Sequence, residues 1–531
     1  MTSNDLLSAA RAWLAAEPDD DIAAELSALI EDDHIELESR FAERLQFGTA
    51  GLRAAVGAGP MRMNRLVVRQ AAAGLAEHLL RTEPDAATRG VVIGYDARRK
   101  SDVFALDTAR VLAARGIRAM IFDEVVPTPL LAWSITGVGA GAGVMVTASH
   151  NPPADNGYKV YLDSGAQIVS PIDSEIADAI ASIDPLTVPL ADDADPLIEH
   201  LDGSLRETYL AAVPDVRLRP DVPPISVAYT ALHGVGGSLL VDAFAAAGLG
   251  HPSVVETQHQ PDGSFPTVSF PNPEEPGAMD EVIALAERTG AVLALANDPD
   301  ADRLGAAIPT ADGWRRLGGD EIGWLLADHI LDNGSGDDRL VVTTLVSSSM
   351  LASIAASHGV HAVETYTGFK WIARAIAEHP ELRFVFGYEQ ALGYLVCDRP
   401  RDKDGITAAV LLAEVAAWAI ASGSSLAERL DDLAALHGRH NIVERSVAMP
   451  PSEGILAVDR LRTAPPTSID EHPVLTTSDY PEAGLLRFVL DGGIRIQVRP
   501  SGTEPKVKIY GEGSGVDPTA AVDAMASLLV G

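Results

Sequence analysis

Between Val91 and Ala421, short apolar runs ending in glycine- or aspartate-bearing loops alternate with segments of helical periodicity. That alternation leaves a chain few choices, and it predicts α/β layers. Residues 91–96 read as a buried strand and 103–114 as the helix behind it, with Asp102 at the N-cap. Strands at 118–122 and 143–146 continue this unit. A second unit opens on a strand at 225–229 and carries a helix at 237–247 and a strand at 291–296. A third holds strands near 340–345, 361–365 and 383–386, with helices near 321–331 and 406–421. The stretch 184–195, rich in Pro, Ala and Asp and without periodicity, reads as a surface excursion. The end of the chain differs: strands at 485–490 and 494–498 flank Asp491-Gly492-Gly493, a hairpin signal, before a strand at 506–510 and a helix at 519–529. At 531 residues the chain exceeds what one core usually serves. The expected fold is therefore α/β, with three related α/β domains followed by a smaller α+β domain.

Several function classes fall away on charge and composition. A formal net charge of −35 argues against nucleic-acid binding, which needs a basic footprint. No apolar run is long enough to span a bilayer, and Met1-Thr2-Ser3-Asn4-Asp5 lacks the basic-then-apolar pattern of a secretory signal, so neither membrane nor export is expected. Cys397 is the only cysteine, which excludes an intramolecular disulfide and fits a reducing cytoplasm. An anionic surface repels phosphorylated substrates, so a phosphate site here must concentrate its cations locally. Arg53, Lys159, Arg303, Lys370, Arg401, Lys403, Arg499 and Lys506 all lie in or beside glycine-bearing loops.

Four islands carry the chemistry. In Thr147-Ala148-Ser149-His150-Asn151-Pro152-Pro153 a serine sits in a stiffened turn after an apolar run, with His150 and Lys159 able to move or neutralise charge. In Asp298-Pro299-Asp300-Ala301-Asp302-Arg303 the carboxylates alternate. In extended backbone they would point the same way, a set of hard oxygens suited to Mg²⁺. Glu389, between Gly387 and Gly393 at a strand end, can accept hydrogen bonds from two sugar hydroxyls. Thr367-Gly368-Phe369-Lys370 occupies the comparable strand end earlier in that unit. Finally, Arg499-Pro500-Ser501-Gly502-Thr503-Glu504-Pro505-Lys506 offers a guanidinium, two hydroxyls, an amide and an ammonium within one turn, a set suited to a phosphate dianion. Each island alone also fits an ordinary solvated turn.

In this order the four islands resemble the α-D-phosphohexomutases, the phosphoglucomutase and phosphomannomutase superfamily, over residues 47–510. Phe47-Gly48-Thr49-Ala50-Gly51-Leu52-Arg53, Gly94-Tyr95-Asp96-Ala97-Arg98 and Tyr229-Thr230-Ala231-Leu232-His233-Gly234 resemble it too. The resemblance implies four domains, at 1–204, 205–313, 314–435 and 436–531, in a heart-shaped arrangement around a central cleft. It implies a phosphoserine at Ser149, and Mg²⁺ held by Asp298, Asp300, Asp302 and a phosphoserine oxygen. Arg53, His150 and Lys159 would stand at the transferring group, with Lys159 moving the proton. Arg303, Thr367, Gly368, Lys370, Glu389, Ala391 and Lys403 would contact the sugar phosphate, and Arg499, Ser501, Gly502 and Thr503 would clamp the distal phosphate. The implied activity interconverts a hexose 1-phosphate and 6-phosphate, with glucose as the expected sugar and glucose 1,6-bisphosphate, or a related bisphosphate, as activator. Phosphomannomutase or phosphopentomutase action by the same route, and a Mg²⁺-dependent sugar phosphatase, are the alternatives. Ala391 stands where the family often has serine, which removes one hydroxyl from the sugar loop. The residues set no oligomeric state.

Overall fold

The computed structural model describes residues 3–32, 34–501 and 505–530. Among them the strands form four sheets, one after another along the chain. The first contains β1 (Leu52–Ala55), β2 (Val91–Tyr95), β3 (Ala119–Phe122), β4 (Ala142–Val146), β5 (Asp155–Leu162) and β6 (Ile198–Leu201), in the order β1-β5-β4-β2-β3-β6. The second holds β7 (Val227–Thr230), β8 (Ser253–Val254), β9 (Leu293–Asn297), β10 (Leu304–Thr310) and β11 (Gly313–Arg316), ordered β11-β10-β9-β7-β8. The third has β12 (Arg339–Thr344), β13 (His361–Thr365), β14 (Arg383–Glu389) and β15 (Gly393–Leu395), ordered β13-β12-β14-β15. The fourth is antiparallel: β16 (His440–Ala448), β17 (Ser468–Ile469), β18 (His472–Tyr480), β19 (Leu485–Leu490), β20 (Ile494–Pro500) and β21 (Lys506–Ser514).

The first three sheets repeat one device. A parallel core ends in a strand that turns straight back as an antiparallel neighbour: β4 into β5, β9 into β10, β14 into β15. The loop at each reversal is a chemical island, namely the Ser149 loop, the three-aspartate loop and the Glu389 loop. In the first sheet β2 lies between β4 and β3, so the strand order reverses between β2 and β4. The Ser149 loop follows β4 at that switch point, where open α/β sheets bind ligands.

The first three domains share one apolar core, running from Val92 and Met120 through Leu239 and Leu293 to Leu412 and Leu433. The fourth has its own, built on Phe488, Ile496, Ile509 and Met525. Its junction with the third domain is mostly polar, with only a small apolar contact of Val346, Leu485 and Tyr510. No single helix is long and apolar enough to cross a membrane.

Helices Ser3–Ala16, Asp20–Asp32 and His34–Phe41 precede the first sheet, ahead of the first functional motif. Leu6, Ala10 and Trp13 are buried at helical spacing, and Trp13 meets Phe41 edge-on at 6.0 Å. Burial of a large apolar side chain contributes roughly 1.5–3 kcal/mol, enough for these few anchors to hold the helices down. Asp19 adds an ion pair to Lys100 at 2.9 Å. Asp102 is not the N-cap expected for the following helix. The helix runs Ser101–Ala114 from Lys100, which has φ 66° and no side-chain cap bond. The turn is fixed instead by Asp96, which accepts Ser101 Oγ at 2.6 Å and Arg98 N at 3.0 Å.

Candidate active site

Ser149 lies in the reversal between β4 and β5 with φ 52°, in the left-handed region that a side chain seldom adopts. Two groups hold it there. Thr147 Oγ1 accepts the Ser149 amide at 2.9 Å and donates to Asp96 at 2.7 Å. Behind the loop, Arg98 donates to the carbonyls of Ser149 (2.6 Å), Asn151 (2.6 Å), Pro152 (2.8 Å) and Asp155 (3.1 Å). The serine hydroxyl, 3% exposed, donates to Asp298 Oδ2 at 2.8 Å and lies 3.3 Å from His150 Nδ1. Burial, reinforced by Arg303 and Arg53, pushes the His150 imidazole well below its usual range, so it is neutral at physiological pH.

Asp298, Asp300 and Asp302 are all buried, and their carboxylate oxygens lie within 4.8 Å of one another. The convergence has a different cause from the extended backbone expected. The segment is a tight turn, with Ala301 at φ 56° and its amide bonded to Asp298 O at 2.9 Å. Neighbouring domains brace it. From the first domain, Thr128 donates through its hydroxyl to Asp300 Oδ2 at 2.7 Å and through its amide to Asp300 O at 2.9 Å. From the third, Gly405 N donates to Ala301 O at 3.2 Å, an approach so close that a Cβ on Gly405 would stand 2.3 Å from Arg303 O.

Burial and two like-charged neighbours push Asp298 well above the usual carboxylate range. Asp300 is driven the other way: burial opposes its charge, but Lys159 at 2.8 Å outweighs it. Lys159 Nζ also reaches Asp302 at 3.4 Å, and Lys403 Nζ approaches the same carboxylate at 3.2 Å. Asp300 Oδ1 and Asp302 Oδ1 nevertheless remain buried without a hydrogen-bond partner. Converging, desolvated carboxylates with orphaned oxygens are what a hard divalent cation requires, so the residues fit Mg²⁺.

Several other candidates lie close enough to bear on its charge. Arg53, on β1, donates to Asn151 Oδ1 at 2.9 Å. Arg303 lies 3.9 Å from Asp298 and 3.7 Å from Glu274, and its Nε has no hydrogen-bond partner. Glu389, 8% exposed at the end of β14, accepts the Gly368 amide at 2.7 Å. Thr367 Oγ1 is buried and unpartnered. Ala391 lies in the β14–β15 reversal beside Leu392, whose φ is 62°. Lys370 opens the helix Phe369–Glu378, and burial pulls its ammonium down to about 8 against Glu389 and Asp173.

The residues expected to clamp the distal phosphate lie at the end of β20 and just beyond it. Arg499 Nε is buried without a hydrogen-bond partner, and Ser501 N bonds Lys506 O at 2.9 Å. Gly502 and Thr503 lie outside the described residues. Glu274, beside Arg303, is held above its usual range by burial, with Glu444 and Lys508 of the fourth domain close enough to act on it. Glu444 and Lys508 of the fourth domain thus lie near Glu274 of the second. Thr128, Arg98 and Glu274 are site residues that motif reading missed. The Tyr95-Asp96-Ala97-Arg98 run after a strand was the available signal for Arg98, and Pro127-Thr128-Pro129 at a helix start for Thr128.

A strained serine, a cation-demanding carboxylate cluster and buried arginines with unpartnered nitrogens suit a phosphoryl-transfer enzyme. Family profiles described as phosphoglucomutase/phosphomannomutase domains I, II, III and the C-terminal domain match residues 44–187, 207–313, 318–436 and 446–527. The chain belongs to this family of mutases, the α-D-phosphohexomutase superfamily. It is 41% identical over 474 residues to a protein of Haemophilus influenzae named "probable phosphomannomutase", covering 87% of this chain and 95% of the relative. It is 35% identical over 537 residues to the phosphopentomutase of Homo sapiens, covering 91% and 87%. A phosphoglucomutase/phosphomannomutase family protein from Burkholderia thailandensis superposes with a TM-score of 0.70 at 22% identity, covering 91% of this chain and 96% of that one, which establishes the fold.

Proposed function

We propose that the chain interconverts sugar 1-phosphates with their terminal phosphates through a phosphoserine at Ser149 and a bisphosphorylated sugar, with glucose the preferred sugar. The observation that carries this is the Ser149 hydroxyl standing 2.8 Å from Asp298 within the three-carboxylate cluster, far along the chain from the clamp at Arg499. One chemical site and one separate phosphate anchor suit a substrate whose two ends must be presented in turn.

In the first transfer, the bond from phosphorus to Ser149 Oγ breaks and a bond to the sugar's free hydroxyl forms. Lys159 is kept protonated because Asp300 and Asp302 outweigh the opposing effect of burial. It gives a proton to the departing Ser149 Oγ and is recharged by the proton the sugar hydroxyl loses. Arg53 and Arg303 flank the moving charge, Glu389 accepts hydrogen bonds from sugar hydroxyls, and Arg499 and Ser501 hold the other phosphate. The bisphosphate then turns, and Ser149 takes back the second phosphoryl group. Asp298, Asp300 and Asp302 would hold Mg²⁺ beside Ser149, where it supplies charge neutralisation to the transferring group.

A pentose reading is favoured by one residue: Ala391 offers no hydroxyl to a hexose at the sugar loop. Rates on glucose, mannose and ribose 1-phosphates, with glucose 1,6-bisphosphate added, test both. The highest kcat/KM is expected for glucose 1-phosphate. A higher value for ribose 1-phosphate favours the pentose reading, and free phosphate in place of an isomer makes the protein a phosphatase. A pH dependence follows from Lys370. Its cation is nearly complete at pH 7, half lost near pH 8 and mostly gone by pH 9, so KM should climb severalfold, roughly 3- to 10-fold, over that range. Lys370→Arg should flatten that climb, and a KM that stays level in the unaltered protein would remove Lys370 from phosphate binding.

A further inference from the structure

Behind the site a second path joins the serine loop to the three-aspartate loop, through side chains that the proposed chemistry leaves idle. Arg98 turns every edge of its guanidinium to the first domain. Nη1 and Nη2 donate to the carbonyls of Ser149, Asn151, Pro152 and Asp155, and Nε lies 3.2 Å from Asp96 Oδ2. What remain are its flat faces. Phe265 of the second domain covers one of them, with the guanidinium carbon 4.9 Å from the ring centroid. Phe265 is 3% exposed and holds φ 46°, a backbone state that bulky residues seldom adopt. Gly263, in the same loop, lies so near the first domain that a Cβ on it would stand 2.3 Å from Ala97 O.

From Phe265 the path returns to the aspartates through the turn at Leu232 to Val235. Phe265 N donates to Asp262 O at 3.0 Å, and Asp262 N to His233 O at 2.9 Å. Leu232 and His233 themselves have φ 48° and 61°. Side chains brace this arc: His233 Nε2 lies 2.8 Å from Thr267 Oγ1, which also accepts Gln258 Nε2 at 2.8 Å. At the other end of the turn, Val235 N donates at 2.8 Å to the carbonyl of Pro299, between Asp298 and Asp300. Gly234 sits so close there that a Cβ would stand 2.5 Å from Pro299 Cα. The contacts close a circuit: Ser149 to Asp298, Pro299 to Val235, His233 to Asp262, and Phe265 to Arg98, which grips Ser149 again.

We propose that the arc from Leu232 to Phe265 is a gauge that fixes the Ser149 loop against the three aspartates, with Phe265 a positioning residue acting through Arg98. The inference rests on the phosphoserine reading above. A side chain at φ 52° persists only while its surroundings restrain it. The bonds of Arg98 restrain the serine loop within the guanidinium plane, and the Phe265 ring opposes rocking out of that plane. The placement matters because misplacing a reacting group by about 1 Å costs on the order of 100-fold in rate. Glu389 and Arg499 are not members of the circuit, so loosening it should slow phosphoryl transfer and leave sugar binding in place.

The test compares Phe265→Leu, Arg98→Lys and the double variant with the unaltered protein. Measured are kcat and KM on the sugar 1-phosphate that the unaltered protein turns over fastest, thermal melting, and the rate at which glucose 1,6-bisphosphate loads a phosphoryl group onto Ser149, followed by mass. Phe265→Leu should lower kcat and the loading rate about 10-fold or more, with KM within about 3-fold of its original value. In the double variant, Phe265→Leu should add less than about 2-fold to the loss from Arg98→Lys, because one residue acts through the other. Losses that multiply, a KM that rises as kcat falls, or an unchanged kcat would each overturn the gauge. Thr267→Val removes one exposed hydroxyl from the arc, keeps the core filled, and decides the matter if a core variant folds poorly. It should lower kcat about 3-fold or more at constant KM, and an unchanged kcat there overturns the gauge as well. If the bisphosphate loads nothing onto Ser149 of the unaltered protein, the phosphoserine reading itself falls, and the gauge with it.

Discussion

Ser149→Ala is expected to abolish isomerisation, with kcat falling at least about 10⁴-fold, because no other group can carry the phosphoryl group between the two half-reactions. The fold should survive. The change removes the Ser149 Oγ bonds to Asp298 and to His150 Nδ1, a loss of about 1 kcal/mol each at most. Asp298 keeps the Arg303 amide as a donor at 3.0 Å, and Arg98 still grips the loop through its carbonyls. Mass measurement should find one phosphoryl group on the unaltered protein after incubation with glucose 1,6-bisphosphate and none on the variant. Turnover above about 1% of the unaltered rate would rule out a phosphoserine at this position.

Removal of divalent cations should have the second largest effect. Three fully buried carboxylates are poorly balanced by Lys159, Lys403 and Arg303, and the upward push that burial and its two neighbours give Asp298 expresses that imbalance. EDTA should therefore stop turnover, with Mg²⁺ restoring it. Binding to the folded state alone also stabilises by mass action, about 2.7 kcal/mol at a concentration 100 times Kd, so the melting temperature should rise with added Mg²⁺. Asp302→Asn should weaken both responses. Full activity in EDTA, or a melting temperature indifferent to Mg²⁺, would remove the metal from the account.

The layered α/β plan was legible because buried strands and amphipathic helices carry different periods, and the hairpin at Asp491-Gly492-Gly493 because its turn residues are specific. The identity of the three aspartates was legible too, but the reason for their convergence was not. Alternation suggested an extended strand, whereas the backbone turns at Ala301, a residue type with no particular preference for φ 56°. Proline at 299, Thr128 from one domain and Gly405 from another hold that turn, and contacts between domains leave no local mark. The same holds for Arg98, whose four carbonyl partners lie more than fifty residues away along the chain. The amino-terminal helices are a different case. Leu6, Ala10 and Trp13 carry an ordinary helical stripe, but no family-like motif precedes Phe47 to give it a context.

The three reversals that bear the serine, the aspartates and the glutamate each hang from a separate sheet, pinned on both sides by paired strands. At their tips the three nonetheless meet, Ser149 donating to Asp298 and Arg303 bridging to Gly393 beside the Glu389 loop. On the proposed reading, a change written into the third reversal would therefore also be felt at the three aspartates, so sugar choice and phosphoryl transfer would drift together.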